Sequence, residues 1–67
     1  MDEFTYKGRR VRIDVKPIAK GRRWDWSYTI DGRDYVRNSE ELAPSREVAV
    51  SEARQHAEAR IREMEAN

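Results

Sequence analysis

The feature that most constrains this chain is the strict alternation of apolar and polar side chains in two segments. Every second side chain is large and apolar from residue 23 to residue 30, and every second one is aliphatic from residue 10 to residue 16. The apolar members are Val11, Ile13, Val15, Trp24, Trp26, Tyr28 and Ile30. A period of two places alternate side chains on opposite faces of a β-strand, so both segments are predicted to be strands with one buried face.

A turn signal follows the second of these strands directly. Asp31 and Gly32 are typical of a two-residue hairpin loop, which favours positive φ at both central positions. Residues 33–37 would then form the returning strand. A two-residue loop pairs Tyr28 with Tyr35, and therefore predicts that Tyr35 joins the aromatic face.

The N-terminal part is less determined by its sequence. A short aromatic segment, residues 4–6, precedes Gly8, which fits either a tight hairpin turn or a bulge that curls one long strand. Pro17 lacks a backbone N–H and is expected to end the strand that contains it.

The C-terminal segment has the pattern of one amphipathic helix over residues 45–65. Ser45 is a good N-cap, because its hydroxyl can accept from a free amide of the first turn, and Glu47 complements the helix dipole. Apolar side chains recur at helical spacing on one side. The predicted stripe consists of Val50, Ala53, Ala57, Ile61 and Met64.

Together these elements predict an α+β fold in a single domain, residues 1–67. A three-stranded antiparallel sheet, 4–37, would be followed by a connection, 38–44, and would pack against the C-terminal helix in the order β-β-β-α. A short fourth strand at the N-terminus is left open. The 67 residues provide material for only one small core.

Composition narrows the expected location and chemistry. The chain has no cysteine, which fits a reducing compartment, so we expect it to be cytoplasmic. The sequence shows no signal peptide and no apolar run long enough to cross a membrane, so no membrane association is expected. Cofactor-binding and catalytic motifs are likewise missing, and we expect no cofactor and no enzymatic activity.

Charge is distributed unevenly along the chain, although the net charge is only +1. Residues 1–37 contain ten Lys or Arg and six Asp or Glu, whereas residues 38–67 contain four Arg and seven Glu. The sheet is therefore expected to carry a net positive charge and the helical segment a net negative one.

The sheet face opposite the helix is the candidate binding site. Its basic side chains are suited to contacts with the phosphates of DNA or RNA, although the acidic residues among them weaken such a site. The candidate nucleic-acid-binding residues are Arg10, Arg12, Lys16, Arg23 and Arg33. The alternative interpretation is a solvated face whose charges prevent aggregation at sheet edges. A protein-interaction module, or a weak homodimer formed through a sheet edge or the acidic helix, is the competing function.

Two further groups have structural interpretations. The tryptophans and Tyr28 could stack on bases, but they are expected to form the core beneath the helix. His56 lies one helical turn after Glu52, and we expect a surface pair rather than a metal site, because zinc normally needs three or four ligands.

The chain resembles short proteobacterial proteins of unknown function, of the kind abundant in Burkholderia and its relatives. The residues that carry this resemblance are the run Tyr6, Gly8, Val11, Ile13, Val15 and Pro17, the hairpin from Trp24 to Gly32, and the helix residues Ser45, Ala49, Ala53, Ala57 and Ile61. It implies no activity, ligand or catalytic residue. The hairpin from Trp26 to Arg33, followed by an Ala-rich helix, is also similar to the arm-binding domains of tyrosine recombinases and to plant AP2 domains, in which a three-stranded sheet reads DNA. This second likeness is one of fold alone.

Overall fold

A computed structural model describes residues 2–66 and contains four strands and one helix. The strands are β1 (Asp2–Tyr6), β2 (Arg9–Ile18), β3 (Arg23–Ile30) and β4 (Asp34–Arg37), and the helix is α1 (Arg46–Ala66). Neighbouring strands pair antiparallel in the order β1-β2-β3-β4. The predicted α+β fold is confirmed, and the short fourth strand at the N-terminus is present.

The first hairpin resolves the role of Gly8. Tyr6 pairs with Arg9, and the two residues between them have positive φ, 50° at Lys7 and 80° at Gly8. This is the backbone of a tight two-residue turn. Gly8 is therefore part of a hairpin turn and not a bulge.

Pro17 does not end β2, contrary to the sequence-based prediction. It pairs with Trp24, whose N–H and C=O both bond to Ala43 at 2.8 Å. These groups point away from β2, so Pro17 and Trp24 form a non-hydrogen-bonded pair. The nitrogen of Pro17 faces the opposite edge of β2, which β1 leaves uncovered beyond Ile13. The missing N–H therefore removes no ladder hydrogen bond.

β4 pairs with β3 one residue away from the predicted register. The positive φ values expected at Asp31 and Gly32 are present, 54° and 70°, but Arg33 is an additional loop residue. Thr29 is consequently opposite Tyr35. The prediction that Tyr35 joins the aromatic face is wrong, because its side chain lies on the other face and is 63% exposed.

The helix-facing positions of β4 explain this register. They are occupied by Asp34 and Val36, whereas the predicted register would turn Arg33 and Arg37 towards the apolar interior, at a large desolvation cost. Asp34 instead accepts two hydrogen bonds from the Arg60 guanidinium, at 2.6 and 3.0 Å. The register thus removes two cations from the core and gives the carboxylate a partner on α1.

α1 begins at Arg46, within one residue of the predicted bounds, and Ser45 caps it. The Val48 N–H donates to Ser45 Oγ at 3.2 Å, as expected for an N-cap. The buried stripe is shifted slightly from the predicted one: Ala49 belongs to it, while Met64 is 38% exposed and does not. The fully buried helix residues are Ala49, Ala53, Ala57 and Ile61.

The core lies between this stripe and one face of the sheet. Its residues are Val11, Ile13, Trp26, Tyr28, Ile30, Ala43, Ala49, Ala53, Ala57 and Ile61. Trp26 is 6% exposed, and Trp24 is half-buried against the same cluster. The expected packing of the tryptophans under the helix is confirmed, with Trp24 at its margin. Among residues 2–66, no helix combines the length and the hydrophobicity that a membrane span requires.

Candidate nucleic-acid interface

We call the sheet face that points away from α1 the open face. Strand alternation and the pairing register place on it Glu3, Thr5, Arg10, Arg12, Asp14, Lys16, Ile18, Arg23, Asp25, Ser27, Thr29, Tyr35 and Arg37. These strand residues include five cations and three anions. The expectation of an uncovered face rich in arginine and lysine is therefore met by the geometry of the sheet.

The structure places four of the five candidate residues on the open face, in two clusters. Arg10 and Arg12 are alternate residues of β2, so their Cα atoms are about 7 Å apart. Lys16 lies about 20 Å from Arg10 along the same strand and is diagonal to Arg23 across the β2–β3 ladder. Arg33 is exposed in the loop before β4. The interface thus has a basic group at each end of the sheet.

The arginines of α1 and those of the sheet differ in what they bind. Arg46 pairs with Asp2 at 3.1 Å, Arg54 with Glu58 at 3.4 Å, and Arg60 with Asp34 at 2.6 Å. Arg62 donates to the Tyr6 hydroxyl at 3.1 Å. All four arginines of α1 are therefore engaged with groups inside this chain.

Several cations of the sheet have no such partner. Within residues 2–66, six exposed basic side chains take part in no ion pair and donate no hydrogen bond. Lys20 and Arg22 lie in the turn between β2 and β3, and the other four lie in β2, in β4 or in the loop before β4. We call these four the unpaired cations: Arg10, Lys16, Arg33 and Arg37. Arg12 differs from them, because it pairs with Glu3 across the β1–β2 ladder at 3.5 Å. Arg23 donates to the Arg22 carbonyl at 3.0 Å.

Two residues of this interface were not among the predicted site residues. Arg37 lies on the open face opposite Ser27, and Tyr35 lies opposite Thr29. Both follow from the one-residue shift of β4, which the hairpin signal alone did not reveal. The available signal was the alternation within residues 34–37, where only Val36 is aliphatic and suited to the core.

Of the three acidic residues on the open face, Asp25 accepts hydrogen bonds from neutral donors. Asp25 Oδ1 accepts from the Trp26 N–H at 3.0 Å and from Asn38 Nδ2 at 3.2 Å. Such hydrogen bonds spread the carboxylate charge without an ion pair. Asp25 therefore acts as an anchor for the connection after β4, while the cations on either side of it remain exposed.

A second concave region lies on the helix side of the molecule. This groove of about 570 Å³ is lined by Trp26, Asn38, Ser39, Glu40, Glu41, Glu52, Gln55 and His56. Its lining contains three carboxylates and no Lys or Arg, so its field is unfavourable for phosphate. The groove is accordingly a poor candidate for the nucleic-acid interface.

Two hydrogen bonds beside this groove connect aromatic side chains of the core to polar side chains of α1. The Tyr28 hydroxyl is 2.6 Å from His56 Nδ1, and the Trp26 indole N–H donates to Glu52 at 3.4 Å. The predicted surface pair between His56 and Glu52 is wrong, because each of them binds an aromatic residue of β3 instead. Burial raises the pKa of Tyr28 to about 12, because it disfavours the charged phenolate.

The described residues show no cluster of three or more His, Asp or Glu side chains arranged to hold a metal ion. No protein family matches this chain, and no curated protein or solved structure is significantly similar to it. The function must therefore be inferred from the chain's own side chains.

Proposed function

We propose that this chain is a non-enzymatic module that binds nucleic acid weakly, through contacts between the open face and phosphates. The observation that carries the proposal is the contrast between the two sets of cations. The four arginines of α1 are engaged within the chain, whereas three of the unpaired cations lie on the open face and Arg33 is exposed in the loop before β4. A phosphate that binds them replaces water and mobile counterions and breaks no internal ion pair.

The distribution of charge supports this orientation of binding. A polyanion that lies along β2 can contact the cations at both ends of the open face, whereas the acidic groove on the helix side repels it. The likeness of the hairpin to sheet-based DNA-binding domains is consistent with such contacts but identifies no base contact. We include a cytoplasmic location in the proposal, because the chain lacks cysteine.

The proposal predicts weak and strongly salt-dependent binding. Contacts limited to phosphates give dissociation constants of about 1 to 100 µM at physiological salt. Fluorescence anisotropy with labelled DNA and RNA, measured at several salt concentrations, gives both affinity and salt slope. The triple variant Arg10→Thr, Lys16→Thr, Arg37→Thr removes three unpaired cations and keeps good strand-forming residues. For a single strand its salt slope should fall in magnitude by about two.

The matched control removes three positive charges from the other side of the molecule. The variant Arg46→Gln, Arg54→Gln, Arg62→Gln has the same net charge as the triple threonine variant. We expect it to retain most of the affinity, because its changes lie away from the open face. Equal losses in the two variants would show that only net charge matters, and lack of binding by the unmodified chain at low salt would refute the proposal.

A protein partner or a second copy of the chain is the competing outcome of these experiments. Among the residues that the structure describes, no strand pairs with the outer edge of β4, and a free edge is the usual route to self-association. Molar mass measured over a range of concentrations distinguishes the cases. A dimer that forms without nucleic acid and persists in the triple threonine variant would favour the protein-interaction function.

A further inference from the structure

We propose that the preferred ligand is a single strand and that one of its bases stacks on Tyr35. This inference rests on the proposed function and adds to it the class of nucleic acid and the residue that distinguishes it. It is carried by the position of Tyr35, by the width of the open face and by the placement of the helix.

Tyr35 is the only aromatic residue among the strand residues of the open face described by the structure. Its side chain is 63% exposed, so its ring contributes little to the core. Arg33, in the preceding loop, and Arg37, on the same strand, are each two residues from it in sequence, and across the ladder it faces Thr29. An exposed ring flanked in sequence by two unpaired cations offers a base a stacking surface and offers the flanking phosphates their counterions.

The row that contains Tyr35 crosses the whole sheet. Arg12 pairs with Thr29, which pairs with Tyr35, so Arg12 and the tyrosine are two strand spacings, about 10 Å, apart. Arg12 on β2 and the ring on β4 therefore lie on the same face of the sheet, with Thr29 of β3 between them. A single strand running along β2 can hold its phosphates there and extend a base over β4.

The open face is unfavourable for an intact duplex. Four strands place the outer strand axes about 14 Å apart, whereas the major groove of B-DNA is only about 12 Å wide. α1 packs on the opposite face, so no helix projects from the open face into a groove. A duplex could contact only the ends of this surface, and its bases would stay stacked within the helix, away from Tyr35.

The experiment compares three polyanions: a short oligothymidine, a DNA duplex of matched length, and inorganic polyphosphate. Polyphosphate presents the charge without the bases. The variant Tyr35→Thr removes the ring and keeps a residue that favours strands. We expect it to bind the single strand about five- to a hundred-fold more weakly and polyphosphate with unchanged affinity. Tyr35→Phe retains the ring and should restore single-strand binding.

The outcomes separate this inference from the proposed function. If the unmodified chain binds none of the three polyanions, both fail. If it binds all three but prefers the duplex, or if Tyr35→Thr binds the single strand as tightly as the unmodified chain, the proposed function stands and the inference is overturned. If Tyr35→Thr instead converts a dimer into a monomer, Tyr35 belongs to a contact between two copies, which also overturns it.

Discussion

The hydroxyl of Tyr28 lies where the core meets solvent. The side chain is fully buried beneath α1, its ring stacks on that of Trp26 with centroids 5.9 Å apart, and its hydroxyl reaches His56. A buried hydroxyl needs such a partner, because its desolvation would otherwise remain uncompensated. Tyr28 thus contributes to the core through its ring and to the helix–sheet contact through its oxygen.

We predict that stability falls between about pH 10 and pH 12 because of this residue. Its pKa rises from 10.0 in its ordinary environment to about 12 in the folded chain, so over this interval the folded chain retains a proton that the unfolded chain has lost. The Tyr28 contribution is complete below pH 10 and lost as the pH rises through 12. Urea unfolding at several pH values measures the slope, with Tyr28→Phe as the comparison, since other groups titrate there too. Identical slopes for the two proteins would contradict the assignment.

The alanines of α1 set the distance between helix and sheet. The four buried residues of the stripe recur at intervals of four, and three of them are alanine. A methyl side chain lets the helix approach closely over the large rings of β3. The size of the residues on β3 and the size of those on α1 are therefore complementary.

We expect Ala53→Leu to destabilise the fold by about 1 to 3 kcal/mol, because extra methyl groups at a filled position force rotamer and backbone shifts. Ala59→Leu makes the same change on the exposed side of α1 and should alter stability by less than about 0.5 kcal/mol. Chemical denaturation of both variants tests this. Equal effects at the two positions would show that the close helix–sheet contact is absent.

The register of β4 can be tested directly by NMR. Asn38 N–H bonds to the Trp26 carbonyl at 3.0 Å, so even-numbered residues of β3 point their backbone groups towards β4. Thr29 and Tyr35 then form a non-hydrogen-bonded pair, with Cα atoms about 4.5 Å apart. We predict an Hα–Hα NOE between these two residues. An NOE between Thr29 and Asp34 instead would show the two-residue loop that the sequence suggested.

The elements could be predicted from the sequence because each has a strong local signal. Alternation located β2 and β3, and the serine cap located the start of α1. The register of β4 could not be predicted in the same way, since it depends on the contact between Asp34 and Arg60, which are 26 positions apart. The continuation of β2 past Pro17 likewise depends on how far β1 extends along β2, since β1 pairs with it no further than Ile13.

The same reasoning applies to the candidate site. The basic residues of β2 and β3 were predictable, because their face follows from alternation alone. Tyr35 and Arg37 were missed, because the two-residue hairpin signal was followed in preference to the alternation within residues 34–37, and a shift of one residue moves a side chain to the other face of the sheet. Which cations are unpaired depends on contacts between distant parts of the chain, and so became visible only in the folded structure.

At the scale of the whole molecule, folding separates the two signs of charge in space. The sheet half carries the excess of basic residues and the helical half the excess of acidic ones, and the antiparallel meander turns the unpaired cations away from the acidic groove. One side of the molecule therefore attracts a polyanion and the other side repels it. We therefore expect a polyanion to contact the open face and not the helix side, which can be tested.

The most direct test is a titration of isotope-labelled protein with a short oligothymidine at low salt, followed by amide chemical shifts. We predict that the changes concentrate on the open face, at Arg10, Arg12, Lys16, Tyr35 and Arg37, and that residues 49–61 of α1 change little. Added salt should reverse these shifts. Shifts confined to α1 and the acidic groove, or no shifts at all, would contradict the claim that the open face binds nucleic acid.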